Sequence, residues 1–296
     1  MTDAIEANMP WWKRVLEFPL VAMVIAIAVT VGTVGLAGAL VQFGIPGLAH
    51  DTRIILQDLT AVVGLFVAYK MIIARLGRTK RDDLAFDGAA KETLAGLGVG
   101  VGLFSFIVGI AALIGIYTVT KRGDFSMFGS ALVTDALFPA VSEELLFRGI
   151  LFRWLEEFGG SWVALALTSA LFGAAHLMNP NASPVAAIGI ALEAGVMLGA
   201  AYMLTRRLWL AMGIHAGWNF TQGEIWDIPV SGLDQHGLVD AKLEGDPLLT
   251  GAGFGLEASL IAIVVATAFG IFLLYRAIKA GQLVQPMWVK PSTSKE

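Results

Sequence analysis

The chain has 296 residues, of which 56% are hydrophobic and 15% are charged, and its mean hydropathy is +0.73. Soluble domains carry about 25% charged residues, so this composition is typical of a protein embedded in a membrane. The formal net charge of −4 gives no sign of nucleic-acid binding. The absence of cysteine excludes disulfide bonds, thiol catalysis and cysteine-ligated metal sites.

Apolar runs of about 20 residues, the length that crosses a bilayer, recur along the chain. The first run follows Lys13 and Arg14, as in a signal peptide, but it is longer than the apolar region of a signal peptide. Because further spans also follow it, we predict that this run is a retained first helix. The pattern predicts an all-α, polytopic transmembrane bundle of about eight spans in a single domain, 1–296. The predicted spans are residues 18–42, 54–74, 93–119, 128–156, 161–178, 185–205, 208–222 and 252–278.

Lysine and arginine are distributed unequally between the two sides of this bundle. Eight spans place fourteen of them on one side: Lys13, Arg14, Arg75, Arg78, Lys80, Arg81, Lys91, Arg153, Arg206, Arg207, Arg276, Lys279, Lys290 and Lys295. The other side receives four: Arg53, Lys121, Arg122 and Lys242. Since basic residues concentrate in the cytoplasm, we expect an integral protein of a bacterial plasma membrane with both termini cytoplasmic. Residues 223–250 then form a polar external loop, and residues 288–296 form a flexible tail.

Ionisable residues inside the fourth span, 128–156, are candidates for function because charge is costly in a membrane. Glu144 and Arg148 lie four residues apart in the favoured acid-first order, which predicts an internal ion pair. Glu143 is turned about 100° from Glu144 and has no partner on its own helix. A desolvated carboxylate of this kind suits a general base or acid. Structural burial of Glu143 is the alternative.

Two histidines lie in the following spans. His176 has Phe172 one turn earlier, and His215 has Asn219 one turn later, so each pair shares a helix face. Counted at 1.5 Å per residue, Glu143 and His176 both lie roughly 20 Å from the cytoplasmic side, whereas His215 lies roughly 12 Å deep. His215 therefore reaches Glu143 and His176 only if the seventh span is tilted or has a re-entrant start. Each histidine alone also fits a hydrogen-bonded packing role.

These residues resemble the three motifs of the CPBP (Abi) family of CAAX prenyl endopeptidases and bacteriocin-processing enzymes. The motifs are a double glutamate followed by an arginine, Phe-x-x-x-His, and His-x-x-x-Asn. They fall on Glu143, Glu144, Arg148, Phe172, His176, His215 and Asn219. The motif-bearing core is about 128–222, and the rest of the chain adds nothing to the match.

The family also has a Gly-x-x-x-Gly stretch and a Tyr-x-x-Thr turn between its last two motifs. Gly195 and Gly199, then Tyr202 and Thr205, occupy those places. Glycines at this spacing let helices approach closely. Glu193 has no place in the family pattern.

The resemblance implies hydrolysis of a peptide bond by water held between Glu143 and His176. It implies that His215 and Asn219 donate hydrogen bonds to the oxyanion and that Glu144 and Arg148 form a structural pair. It favours a metal-free mechanism without cofactors. The alternative is a zinc ion held by Glu143, His176 and His215, although the chain has no H-E-x-x-H pattern.

The implied partners are the lipid bilayer and a peptide or membrane-anchored protein substrate, either a prenylated CAAX protein, a bacteriocin-like peptide or another membrane protein. Two other classes compete with the protease. A proton-coupled transporter also places glutamate and histidine inside the membrane, but the chain shows no internal repeat. A catalytically inactive scaffold of the same family is the other alternative.

Overall fold

The computed structural model describes residues 10–124 and 126–289. Within them the chain is mainly helical, and six helical stretches are long and apolar enough to cross a membrane. The part of the predicted tail from residue 290 onward lies outside the described residues. The helices are α1 (Trp11–Glu17), α2 (Pro19–Gly44), α3 (His50–Met71), α4 (Ala89–Leu113), α5 (Phe128–Ala131), α6 (Phe138–Glu144), α7 (Arg153–Ala175), α8 (Pro184–Ile190), α9 (Val196–Thr205), α10 (Trp209–Phe220), α11 (Pro247–Thr250) and α12 (Leu260–Lys279).

Wider, π-helical turns continue several of these helices. They occupy Leu132–Leu137, Leu145–Phe152, Ala191–Gly195 and Thr221–Ile225. Such turns are rare and occur often at functional sites, because they leave backbone carbonyls out of the regular ladder. Single 3₁₀ turns lie at Ile73–Arg75, His176–Met178, Ala252–Phe254 and Leu256–Ala258.

The longest helical stretch, Phe128–Met178, doubles back on itself. Gly160 has φ 82° and ψ 170°, which breaks the helix and places the residue where glycine is favoured. The ring centroids of Phe147 and Phe172 lie 4.9 Å apart, whereas a continuous helix would separate them by roughly 37 Å. The stretch is therefore a helical hairpin, whose two arms correspond to the predicted spans 128–156 and 161–178.

Two of the predicted span boundaries were wrong. Helix α4 ends at Leu113, and Tyr117–Arg122 forms strand β1, so the third span does not reach residue 119. Strand β1 pairs antiparallel with β2 (Val239–Leu243) inside the predicted polar loop. Helix α12 begins at Leu260, after two 3₁₀ turns, and not at residue 252. β-branched and polar residues in Tyr117–Arg122 favour a strand over further helix. Gly255, with φ 114°, interrupts the helix before Leu260.

Helices α4 and α10 approach each other closely beside the site. A Cβ added at Gly96 or Gly100 would overlap the backbone of α10, and one added at Gly213 or Gly217 would overlap the backbone of α4. Each helix thus presents two glycines four residues apart to the other. The same spacing of four between glycines is visible in the sequence. The contact fixes α10, which carries His215, against the bundle.

The outer surface of the bundle is apolar. Helix α2 exposes Val24, Val31, Leu36 and Leu40, each more than half exposed. Exposed aliphatic residues in such number are typical of a lipid-facing helix. The protein is therefore an integral membrane protein, and its buried polar side chains lie in the interior of the bundle.

Candidate active site

One cavity of about 260 Å³ collects the residues of different motifs. Glu143 from the last turn of α6, His176 at the end of α7 and Asn219 from α10 all line it. The Glu143 side chain is 34% exposed, and its Oε2 lies 4.0 Å from Nε2 of His215. The structure therefore brings the four predicted catalytic residues to one place.

His215 lies deeper than counting from Arg207 predicts. Leu208, which precedes α10, is fully buried, and its N–H donates to the carbonyl of Asp83 at 3.0 Å. Since Asp83 is also fully buried, the loop before α4 covers the start of α10. The helix begins inside the protein, which removes the depth mismatch between His215 and Glu143.

The tautomer of His176 follows from one backbone contact. Its Nδ1 lies 2.8 Å from the carbonyl oxygen of Phe172, one turn earlier. A carbonyl only accepts, so Nδ1 carries the proton and donates it. In the neutral ring, Nε2 then keeps a lone pair. His176 is therefore able to accept a hydrogen bond from water at Nε2.

Glu144 has two partners and not one. Its Oε1 accepts from Nη1 of Arg148 at 2.8 Å and from Nδ1 of His215 at 2.9 Å. Both side chains of the ion pair are buried. The expectation that Glu144 only pairs with Arg148 was incomplete, because a contact between α6 and α10 is not readable from helical spacing. Glu144 also orients the ring of His215.

Arg148 connects this pair to the π-helical turn Ala191–Gly195. Its Nη2 donates to the carbonyls of Ala194 and Gly195 at 3.0 and 3.3 Å. Its guanidinium also lies 4.6 Å from the ring centroid of Phe172. A buried guanidinium needs such acceptors, since an unpaired buried charge is costly. Arg148 thus holds three helical segments in a fixed arrangement.

Phe172 separates the two histidines. Its ring centroid lies 4.8 Å from that of His176 and 6.3 Å from that of His215. The two predicted packing glycines lie nearby. A Cβ on Gly195 would lie 2.8 Å from Cα of Ser169, and one on Gly199 would lie 2.7 Å from the Leu165 side chain. The substitution at Gly195 would push apart the two helical segments, because it meets backbone, whereas the substitution at Gly199 would displace the end of the Leu165 side chain.

Asn219 is held by a residue that the motifs do not include. Its Nδ2 donates to the backbone carbonyl of Asp135 at 3.1 Å. An amide nitrogen has two protons, so one remains for another acceptor. Asp135 lies in the π-helical turn Leu132–Leu137 and lines the same cavity.

Several residues at the site were missed by sequence reasoning. Ser231 and Gln235, from the 223–250 loop that lies outside the family motifs, line the cavity with Glu143. Glu193 and Glu257 line a smaller cavity on the other side of His176 and Asn219. Glu193 was detectable as an intramembrane glutamate, but nothing in the sequence placed Glu257 or the loop residues beside it.

The alternative zinc site needs Glu143, His176 and His215 as a ligand set. Within residues 10–124 and 126–289, no three His, Cys, Asp or Glu side chains are gathered closely enough to hold a metal ion. Nε2 of His215 lies 4.0 Å from the nearest Glu143 oxygen, and Nδ1 is engaged by Glu144. The arrangement does not fit a zinc centre.

Comparison with known families identifies the motif-bearing segment. Residues 125–221 match a family described as type II CAAX prenyl endopeptidase Rce1-like, and this range contains all three motifs. The match supports the CPBP family for this segment of the chain. A CPBP protein is a CAAX-type intramembrane protease in general terms, which agrees with the apolar helices and the enclosed polar site. Searches of curated proteins and of solved structures found no match.

Proposed function

We propose that this CPBP protein hydrolyses a peptide bond of a membrane-associated substrate with water activated by Glu143 and His176. The observation that supports this most is the shared cavity of Glu143, His176 and Asn219, in which His176 has its Nδ1 occupied. Nε2 of His176 and the Glu143 carboxylate then both accept from one water molecule. An acceptor pair of this kind orients the water and removes its proton.

The reaction needs one proton transfer in each direction. Glu143 takes a proton from water as the oxygen attacks the carbonyl carbon of the substrate. The carbonyl oxygen becomes an oxyanion and accepts from Nδ2 of Asn219 and from Nε2 of His215. Glu143 then passes its proton to the leaving amine as the C–N bond breaks, which gives a carboxylic acid and an amine.

The oxyanion role requires His215 to be doubly protonated. Its Nδ1 donates to Glu144, so Nε2 is a donor only in the imidazolium form. Glu144 at 2.9 Å and Glu143 at 4.0 Å are both positioned to stabilise that positive charge. Glu144 is thus a positioning residue, which acts through His215.

The proposed function is tested on natural membrane proteins. Membrane fractions from cells with the wild-type chain and with Glu143→Gln are compared for new protein N-termini. Cleavage sites that appear only with the wild type support an endopeptidase. Identical N-termini in the two samples, at equal amounts of folded protein, would speak against it.

We also propose eight crossings with both termini in the cytoplasm. The hairpin at Gly160 adds one crossing to the six long stretches, and α10 with Thr221–Ile225 supplies the eighth. Reporter fusions after Pro180 and after Asp234 should report an external position, and one after Arg81 an internal position. An external report at Arg81 would overturn this topology.

Metal dependence is predicted to be absent. If Glu143 and His176 alone activate water, dialysis against a strong chelator should leave most activity, and the purified protein should contain no stoichiometric zinc. Elemental analysis of the wild type and of His215→Ala decides the question. One zinc per chain, lost in the variant together with activity, would favour the zinc alternative.

A further inference from the structure

The catalytic cavity adjoins a second, larger cavity. This second cavity, about 380 Å³ in volume, is lined by Asp51, Asp135, Glu224 and Asp234 among others, and we call it the vestibule. Thr134, Asp135, Leu233 and Gln235 line both cavities. The vestibule therefore lies next to the cavity of Glu143 and His176, beside the 223–250 loop.

The vestibule is strongly acidic. Its four carboxylates come from α3, from the turn after α5, from the end of α10 and from the loop, so they do not belong to one run of sequence. The described residues that line it include no lysine or arginine, and His236 is the one side chain able to become positive. Arg53 lies near Asp51 in sequence but bonds to Gln42 and to the carbonyl of Leu48.

Two carboxylates along this path are buried without a complete set of partners. Glu224 is 2% exposed, and its Oε2 has no hydrogen-bond partner within the described part of the chain. Glu193, beyond the catalytic residues, is 1% exposed, and its Oε2 likewise has none there. Burial of an unpaired carboxylate oxygen is costly, so each of these two oxygens is available to accept from a donor that enters its cavity.

Carboxylates thus line a path of three adjoining cavities around the catalytic residues. Asp51 and Asp234 line the vestibule, Asp135 lines both the vestibule and the catalytic cavity, and Glu193 and Glu257 line a smaller cavity that His176 also lines. Such a path attracts positive charge and repels negative charge, and its low-dielectric walls strengthen both effects.

We propose that the substrate enters through the vestibule, from the face of the 223–250 loop, and carries lysine or arginine beside the scissile bond. This inference rests on the proposed protease function and specifies its substrate class. A short C-terminal peptide with a free carboxylate, as in a CAAX protein, fits the route poorly because its charge faces Asp135 and Glu143. A basic segment within a longer polypeptide fits it well.

The charge and the accessibility of the vestibule are measured without any catalysis. Because the chain has no cysteine, a single Gln235→Cys substitution gives an unambiguous label, and Thr118→Cys on the exposed strand β1 is the control. Positively and negatively charged thiosulfonate reagents that do not cross membranes are applied to intact cells. At each position we take the labelling rate of the positive reagent divided by that of the negative reagent. This ratio should be about tenfold larger at residue 235 than at residue 118.

The carboxylates of the vestibule should cause this preference. Glu224→Gln combined with Asp234→Asn should reduce the ratio at residue 235 to less than about threefold. High salt should also reduce the ratio in the Gln235→Cys protein that keeps both carboxylates. Equal rates for the two reagents would overturn the inference. So would labelling that occurs only after the reagent is given access to the cytoplasm.

The cleavage sites give the second measurement. Sites that depend on Glu143 should have lysine or arginine beside the cut, and Glu193→Gln should weaken that preference. Sites with uncharged or acidic neighbours, or sites that release only a short C-terminal peptide, would overturn the inference and leave the protease function intact. If no cleavage depends on Glu143, the proposed function fails, and the substrate class fails with it.

Discussion

Glu143→Gln should abolish proteolysis in a protein that still folds. The amide cannot take a proton from water, and general base catalysis contributes roughly 10²–10⁴-fold, so turnover should fall by about that factor or more. Glu143 is a third exposed, and its charged neighbour in the described chain is His215 at 4.0 Å, so its loss of charge should cost little stability compared with breaking a buried ion pair. Turnover and thermal unfolding of the purified protein are measured together.

Glu144→Gln is the matched comparison one residue away. It should lower stability first, because Arg148 is buried and loses its charge partner, and breaking a buried pair costs about 3–5 kcal/mol. Activity should also fall, since His215 loses the carboxylate that favours its imidazolium form. Near-normal turnover in Glu143→Gln, with complete loss in a well-folded Glu144→Gln, would reverse the two roles.

Asn219→Ala should slow catalysis by roughly 10²–10³-fold, the usual effect of deleting one oxyanion donor. The loss should appear mainly in kcat, because the hydrogen bond to the oxyanion forms in the transition state and not with the bound substrate. The bond to the Asp135 carbonyl is lost as well, which should cost about 1 kcal/mol of stability. Steady-state kinetics with one identified substrate separates kcat from KM.

Asn179→Ala supplies the control for this measurement. Asn179 lines the same cavity, but it lies outside the motifs and has no proposed contact with the reacting atoms. Its substitution should change kcat by less than about threefold, within the range expected of a surface substitution. If Asn219→Ala and Asn179→Ala reduce kcat equally, Asn219 has no special role at the oxyanion.

The sequence by itself determined the membrane class and predicted the residues that we propose carry the chemistry. Long apolar runs identify bilayer spans because their length matches the hydrocarbon thickness, and this needs no knowledge of packing. Spacings of four along one helix placed Glu144 with Arg148 and Phe172 with His176, because such pairs lie on one face. The three motifs in order identified the CPBP family, which the match over residues 125–221 confirms.

Contacts between distant segments were decided only by the tertiary structure. The bond from His215 to Glu144 joins residues 71 positions apart, and no local pattern records it. The depth of His215 depends on a loop that covers the start of α10, so counting residues from Arg207 underestimated it. The 223–250 loop appeared in sequence as a polar connection. In the folded chain it supplies Ser231 and Gln235 to the catalytic cavity and Asp234 to the vestibule, because side chains from separate segments meet only after the helices have packed.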